Sequence, residues 1–430
     1  MKKFLASVLA LTSVLGLAAC SERNLPLNMS TPASEPANTS EPATSNSVIE
    51  HKNFAPIEIT GDNVLNSVRV FDTMYEDNDQ AMFSPLSLNM CLGMLEAGAA
   101  GSSKDALDAF LGNSDYAQFA SGYLEHAKDF NIKVNNDWQK YQNVFEIANS
   151  FWASEQLEFN KDYKKKVTEN FAAEIENVDF LKPVKAAKII NDWVNEKTHK
   201  MIPAIVSEEQ LTPDTAAVVV NTVYFESAWR DEWWVTGEKE FFTNADGSTT
   251  QTDIMRNGGD SYFENENATA FSSRYKNGMD FIGILPKKEG DFSLESLDIS
   301  SLLNTESYDY DVFARMPKLN FESSFPLTDA LKAAGLDVIF DPDFADFSPM
   351  QGDSDGHFYV SEVMQKTKLE LDEEGTRAAA VTAAITDTNA AMPVERETKE
   401  VYLDRPFAFL IYDHEADQIV FMGKVTALEG

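Results

Sequence analysis

Residues 369–407 constrain the fold most, because this stretch begins and ends with strand patterns around a middle that fits neither a strand nor a packed core. Leu369 and Leu371 alternate with Glu370 and Asp372, which is the period of a half-buried strand. Residues 376–384 are almost all small, and small side chains bury little apolar surface. The sequence therefore predicts a segment that its surroundings hold only weakly.

If residues 376–384 form a strand, all the side chains on one of its faces are small. One face then carries nothing larger than threonine, namely Thr376, Ala378, Ala380, Thr382 and Ala384, while Arg377 falls on the other face. An alanine-rich run favours a surface helix as the alternative, since alanine has the highest helix propensity. However, the flanking strands and the poor helix formers at 386–389 favour a long loop, and long loops inside a domain are usually functional.

Glu373-Glu374-Gly375-Thr376 followed by alanines resembles the hinge of the serpins, serine protease inhibitors with an exposed reactive-centre loop. Residues 403–407 and 421–425 resemble the carboxyl-terminal strands of that family. The resemblance extends from about residue 57 to the end of the chain. It implies an α+β serpin fold with three β-sheets, eight or nine helices and a reactive-centre loop at about 373–400.

The resemblance also implies roles for individual residues. The hinge residues are Glu373, Gly375, Thr376, Ala378, Ala379, Ala380 and Thr382. Ser84, Ser87 and Asn221 correspond to the polar cluster beneath the main sheet, and Trp229 corresponds to the tryptophan where the loop first inserts. Gln365 stands where the family usually has a histidine, so histidine-based pH control is not expected at this position.

In function, the resemblance implies an irreversible inhibitor that turns over once and is not an enzyme. A protease attacks the loop, and the cleaved loop inserts into the main sheet before the acyl-enzyme is hydrolysed. Counting the usual length from Glu373 predicts Asn389-Ala390 as the reactive bond, with Ala391-Met392 as the fallback. The small residues there predict elastase-like, subtilisin-like or papain-like targets. The alternative is a serpin-fold protein that binds a partner or has a structural role without inhibiting.

Composition narrows the class of partner. The chain has 430 residues, 43% of them hydrophobic, and a net charge of −35. Such acidity argues against nucleic acids, heparin-like polymers and anionic membrane surfaces as partners. We expect a monomer with a protease as its partner and without a cofactor.

The amino-terminal residues predict that the protein is localised to the cell envelope. Lys2 and Lys3 precede an apolar run that is too short for a transmembrane helix, and 1–19 is predicted to be a signal peptide. Residues 17–20 resemble a bacterial lipobox, which predicts lipidation of Cys20 and, because serine follows it, an outer-membrane lipoprotein. A plain secretory signal is the alternative. Residues 20–50 are predicted to be a disordered tether and 51–430 the serpin domain.

Several elements of the domain have clear local signals. Ser84 and Pro85 are suited to the N-cap and first position of a helix, and Cys91 is predicted to be buried without a disulfide partner. Residues 216–225 predict a strand buried on both faces, in which the Asn221 amide needs a hydrogen-bond partner. The pattern predicts a strand over 310–321 and a helix over 325–335.

Catalytic and metal motifs are weak. Residues 352–356 match the sequence motif of a nucleophile elbow around Ser354. That motif requires a strand before it and a helix after it, and the sequence around Ser354 does not predict them. A hydrolase is therefore the third and least favoured class. No pair of the five histidines has metal-ligand spacing, so no metal site is predicted.

Overall fold

The structure is a computed structural model that describes residues 54–75, 79–112, 115–135, 140–353, 358–376 and 396–428. Several predictions fall outside these residues. They concern the signal peptide, Cys20 and the tether, Ser354, the hinge residues Ala378, Ala379, Ala380 and Thr382, and the reactive bond at Asn389, Ala390, Ala391 and Met392.

Two helices near the start of the domain begin at side-chain caps that the sequence supplies. Asp62 accepts hydrogen bonds from the backbone N–H groups of Val64 and Leu65, and Ser84 accepts one from Ser87 with Pro85 in the first turn, which confirms the predicted cap. The α-helices of the described residues are α1 (Asn63–Met74), α2 (Pro85–Glu96), α3 (Gly101–Leu111), α4 (Tyr116–His126), α5 (Lys161–Phe171), α6 (Pro183–Lys197), α7 (Ile299–Leu303) and α8 (Thr328–Leu331).

Strands make up most of the rest of the fold. They are β1 (Gln80–Phe83), β2 (Lys133–Asn135), β3 (Lys140–Gln142), β4 (Val144–Ser154), β5 (Glu174–Val178), β6 (Ala217–Ala228), β7 (Trp234–Val235), β8 (Glu240–Thr243), β9 (Thr249–Thr252), β10 (Ile254–Gly259), β11 (Ser261–Glu264), β12 (Ala268–Arg274), β13 (Asp280–Pro286), β14 (Tyr310–Pro317), β15 (Leu319–Pro326), β16 (Glu362–Leu371), β17 (Gly375–Thr376), β18 (Glu397–Tyr402), β19 (Phe407–Asp413) and β20 (Gln418–Val425).

These strands form three large sheets and two short hairpins. The main sheet has the order β15-β16-β17-β6-β4-β5, the four-stranded sheet has the order β18-β14-β10-β7, and the third sheet has the order β1-β20-β19-β13-β12-β11. Strands β2 and β3 pair with each other, as do β8 and β9. This architecture confirms the predicted α+β class.

Helices cover both faces of the main sheet. On one face, α2 is almost entirely buried between β6 and β20, within the large hydrophobic core. On the other face, α6 packs Ile190 and Trp193 against Val218 and Val220 of β6 in a second cluster of buried residues. Strand β6 is thus buried on both faces, as its continuous apolar run predicted.

Two sequence predictions are wrong in their boundaries. The predicted strand over 310–321 is two strands of different sheets, β14 and β15, because the chain changes sheets at Lys318. The predicted helix over 325–335 contains only the short α8 followed by a wider turn, and its first residues end β15. Gly335 breaks the helical path there with a φ of 83°.

Among the described residues, no helix combines the length and hydrophobicity needed to cross a membrane.

Candidate functional site

The hinge and the main sheet meet at strand β17. Gly375 and Thr376 lie between β6 and β16, with Thr376 opposite Ser227 on one side and Leu371 on the other. Thr376 is buried. Thr376 therefore does not belong to the weakly held loop that the sequence predicts from this residue onward, because it already pairs with both neighbouring strands of the sheet.

A tight turn carries the chain from β16 into β17. The Asp372 carboxylate accepts hydrogen bonds from the N–H groups of Glu374 and Gly375 at 2.9 and 3.3 Å. Trp229 donates its indole N–H to the Asp372 carbonyl at 2.8 Å and its backbone N–H to the Glu374 carbonyl at 3.0 Å. The structure therefore places Trp229 directly against the turn that starts the hinge.

Gly375 is required by the close approach of two backbones. Its φ is 156°, and a Cβ atom at this position would collide with the carbonyl of Ser227 and the Cα atom of Ala228. Any larger residue would push β17 away from β6.

Aromatic side chains form the floor beneath Thr376. The Thr376 hydroxyl and the Tyr275 phenol are 2.6 Å apart and share a hydrogen bond. Tyr275 stacks on Trp229 with ring centroids 4.3 Å apart, and the edge of Phe225 meets the Tyr275 ring. Burial raises the pKa of Tyr275 above its usual range, so the phenol stays neutral and remains a hydrogen-bond donor.

Glu373 ties the turn to the neighbouring strands. Its carboxylate forms an ion pair with Lys318, the residue between β14 and β15. Partial burial raises the pKa of Glu373, but the hydrogen bond and the charge of Lys318 outweigh burial and hold the pKa below its usual value of 4.5. About a third of each side chain is exposed, so solvent weakens this pair.

Below β17 the main sheet changes its pairing. Strands β16 and β6 pair with each other directly only at Glu362–Met364, opposite Val218–Val220. Across their outer edges, β16 pairs with β15 from Met364 to Leu371, and β6 pairs with β4 from Ala217 to Glu226. No β16–β6 pair occurs at the described residues 365–370 and 221–226, which lie between the direct pairs and β17. We call this stretch the sheet opening.

A chain of buried polar groups lies beneath the sheet opening. Ser84 donates its hydroxyl to the Val420 carbonyl at 2.7 Å. Ser87 donates its hydroxyl to the Asn221 amide oxygen, and Asn221 donates to Asn149. The structure thus brings the predicted residues Ser84, Ser87 and Asn221 into one network, which Asn149 extends to the Phe171 carbonyl at 2.7 Å.

Gln365 joins this network through the backbone of Ser84. Its amide oxygen accepts the Ser84 N–H at 2.7 Å, and its amide nitrogen donates to the Ser84 carbonyl at 3.0 Å. A neutral amide satisfies one donor and one acceptor at a buried position. Gln365 supplies this pairing without a group that titrates near neutral pH.

Other candidate chemistry does not converge on a site. Each of these three histidines pairs with a carboxylate, namely His126 with Asp413, His199 with Glu146 and His414 with Glu306. No cluster of metal-binding side chains occurs in the part of the chain that the structure describes. Cys91 is buried with a free thiol, and burial raises its pKa to about 12.

Sequence reasoning missed three residues of the site. Tyr275, Lys318 and Asn149 each act through a partner that is distant along the chain, and their local sequence has no distinctive pattern. The buried position of Asn221 was the one available signal, since a buried amide required a polar partner that proved to be Asn149.

Comparisons with known proteins agree with this geometry. The sequence profile of the family described as Serpin (serine protease inhibitor) matches residues 65–428. An uncharacterized serpin-like protein of Thermococcus kodakarensis is 30% identical over 376 residues, which cover 84% of each chain. Iripin-8 of Ixodes ricinus is 31% identical over 367 residues, covering 82% of this chain and 89% of that protein.

A solved structure leads to the same family. The crystal structure of the thermophilic serpin Tengpin in its native state matches with a TM-score of 0.73 and 28% identity, covering 88% of this chain and 98% of that chain. The profile, the relatives and the fold therefore agree that this chain belongs to the serpin family of serine protease inhibitors.

Proposed function

We propose that this protein inhibits proteases irreversibly by inserting its cleaved loop into the main sheet. The nucleophile of the protease attacks the carbonyl of Asn389 and forms an acyl bond as the bond to Ala390 breaks. Ala390 then carries a free amino group. The loop before Asn389 fills the sheet opening and carries the attached protease with it, so that its active site is distorted before water can release it.

The observation that carries this proposal is the position of β17 above the sheet opening. Gly375 and Thr376 already pair with both neighbouring strands, and no pairing between β16 and β6 blocks the next six positions. The first step of insertion is therefore present in the intact chain. Each further residue can extend an antiparallel ladder that β17 has started.

Continuing the register of β17 predicts where each loop residue arrives. Thr376 lies opposite Ser227, so residue 386 would arrive opposite Ala217, the first residue of β6. Insertion to that depth must break the direct pairs between Glu362–Met364 and Val218–Val220. Asn389 would then lie just beyond the end of β6, which agrees with a reactive bond at Asn389-Ala390.

The same register gives Thr382 a special position. It would lie opposite Asn221 on one side and opposite Gln365 on the other. Directly opposite residues of a sheet share a face, so the Thr382 hydroxyl would face the buried polar network. The side-chain amides of Asn221 and Gln365 each use one N–H and one oxygen lone pair in existing hydrogen bonds. Each amide therefore has a second N–H and a second lone pair for the Thr382 hydroxyl.

The experiment is incubation with a panel of proteases. We expect a complex that survives SDS with elastase-like, subtilisin-like or papain-like enzymes, and a released peptide whose first residue is Ala390 by mass spectrometry. A peptide that begins at Glu397, with efficient trapping of trypsin, would contradict both the bond and the specificity. If every protease cleaves the chain without trapping, the protein is a non-inhibitory member of its fold.

Localisation to the cell envelope is a separate proposal. We propose that Cys20 is lipidated and that the tether 20–50 holds the domain at the outer membrane, on the basis of the lipobox resemblance. The test is mass spectrometry of the amino-terminal peptide from native membranes. An unmodified amino terminus near Cys20 would support the secretory alternative instead.

A further inference from the structure

Two glutamates flank the end of the sheet opening that lies next to β17. Thr376 of β17 is opposite Ser227 of β6 and Leu371 of β16. One position further into the opening, the facing residues are Glu226 of β6 and Glu370 of β16. Neighbouring strands of a sheet lie about 4.8 Å apart, so a residue that fills this position lies directly between the two glutamates. We call Glu226 and Glu370 the glutamate pair.

The glutamate pair lies on the outer face of the main sheet, away from the buried polar network. Val218 and Val220 of β6 pack against α6 on that face. Glu226 is an even number of residues from both valines in a regular strand, so it shares their face. The Glu370 side chain is 38% exposed and Glu226 is half-buried. A charged side chain can therefore reach both carboxylates without entering the core.

The carboxylates of the glutamate pair can accept further hydrogen bonds. Tyr224 donates its phenol to the Glu226 carboxylate at 2.7 Å, and Glu226 forms no ion pair with any described residue. Glu370 forms an ion pair with Lys368 at 2.6 Å. A carboxylate has about four lone-pair positions, so both groups have capacity for a further partner. Two carboxylates against one lysine make this end of the opening locally anionic.

The loop supplies a cation at the matching position. Arg377 directly follows Thr376 in the chain, and it lies outside the described residues. Continuing the register of β17 by one residue places Arg377 opposite Glu226 on one side and opposite Glu370 on the other. Residues 377–382 correspond to the six positions of the opening, and Arg377 is the only charged residue among them. Only its position has a carboxylate on both flanking strands.

We propose that the glutamate pair binds Arg377 at the start of insertion and so favours insertion over hydrolysis of the acyl-enzyme. This inference rests on the proposed function, because it requires the loop to insert. The planar guanidinium has enough N–H donors to bind a carboxylate on each side. Insertion proceeds from β17, so the contacts of Arg377 form before the rest of the strand pairs. An interaction that forms this early raises the rate of insertion as well as the stability of the product.

The position of Arg377 separates this role from recognition of the protease. Arg377 lies twelve residues before Asn389, which is about 40 Å along an extended chain. A protease cleft contacts only the residues near the bond that it cleaves. The contact should therefore change how the acyl-enzyme partitions between trapping and hydrolysis, while the rate at which protease and inhibitor associate stays the same.

The test measures the stoichiometry of inhibition, which is the number of inhibitor molecules consumed for each protease molecule trapped. Arg377→Glu places a third carboxylate between the glutamate pair. With subtilisin, or another protease that the wild type traps, we expect the stoichiometry in excess of one to rise about tenfold. Arg396→Glu is the matched control, because it makes the same charge change at an exposed residue beyond the proposed reactive bond, which does not enter the sheet.

Two further measurements identify the interaction as one between charges. Arg377→Glu combined with Glu226→Lys restores an attraction on one side, so we expect the stoichiometry to fall back towards the wild-type value. The effect of Arg377→Glu should also be smaller at about 1 M salt, where the Debye length is about 3 Å, than at about 0.1 M, where it is about 10 Å. The melting temperature of each intact variant shows whether it folds.

Each remaining outcome overturns a stated point. Equal stoichiometries for Arg377→Glu and Arg396→Glu, in variants with the wild-type melting temperature, overturn the inference. A loss that neither Glu226→Lys nor salt reduces also overturns it, because Arg377 then acts through its shape and not its charge. A slower association with an unchanged stoichiometry overturns it in favour of a contact with the protease. Cleavage of the wild type without trapping is instead a failure of the proposed function, and it removes the basis of this inference.

Discussion

The hydroxyl of Thr376 and the phenol of Tyr275 share a 2.6 Å hydrogen bond that fixes the first hinge residue inside the main sheet. Because Thr376 is buried in the intact chain, a charge at this position would destabilise the starting structure as well as the inserted one. Tests of insertion must therefore use residues beyond Thr376.

The first prediction concerns the inserting face. Ala380 is four residues after Thr376, so the two side chains would lie on the same face of an extended strand. Ala380→Arg would therefore bury an unpaired charge on insertion, at a cost of several kcal/mol. We expect this variant to be cleaved as a substrate, with a stoichiometry of inhibition far above that of the wild type. Ala380→Ser is the matched control, because serine is small and uncharged at the same position. Equal stoichiometry for the two variants would refute the assigned face.

The second prediction concerns Glu373 and pH. Its pKa in the folded protein lies below the usual 4.5, so the pair with Lys318 contributes stability above about pH 4.5 and loses it as pH falls through the lower, folded pKa. The urea midpoint of Glu373→Gln should be lower than that of the wild type at pH 7. The difference should shrink below pH 4.5. A difference that stays constant down to pH 3.5 would mean that the carboxylate charge is irrelevant.

The third prediction concerns Gln365→His. A neutral imidazole can replace only one of the two hydrogen bonds that the amide makes to the Ser84 backbone, because its two ring nitrogens point away from each other. A protonated imidazole only donates, so burial depresses its folded pKa and stability is lost as pH falls through the unfolded value of about 6.5. Subtracting the wild-type urea midpoints between pH 5 and 8 isolates this effect. A flat difference would show that residue 365 tolerates the charge.

The fourth prediction concerns Thr382, which the register places between Asn221 and Gln365 after insertion. Thr382→Val keeps the shape and removes the hydroxyl, at a cost of about 1 kcal/mol in the inserted form only. Differential scanning calorimetry should show a lower Tm for the cleaved variant and an unchanged Tm for the intact one. A loss of equal size in both forms would disprove the register.

Local chemistry explains which features the sequence could predict. The cap at Ser84 and the buried strand that contains Asn221 depend on residues close together in the chain, and both were predicted correctly. The change of sheet at Lys318 and the contact between Tyr275 and Thr376 depend on distant partners. No periodicity encodes such contacts, so the early insertion of β17 was visible only in the structure.

The central claim is that the loop fills the sheet opening after cleavage. The most direct measurement is the Tm of the intact protein against that of the same protein cleaved near Asn389 by a protease that it does not trap. Filling the opening adds pairing along both β6 and β16, so we expect cleavage to raise Tm by tens of degrees. An unchanged melting curve after complete cleavage would contradict the account and identify a loop that does not insert.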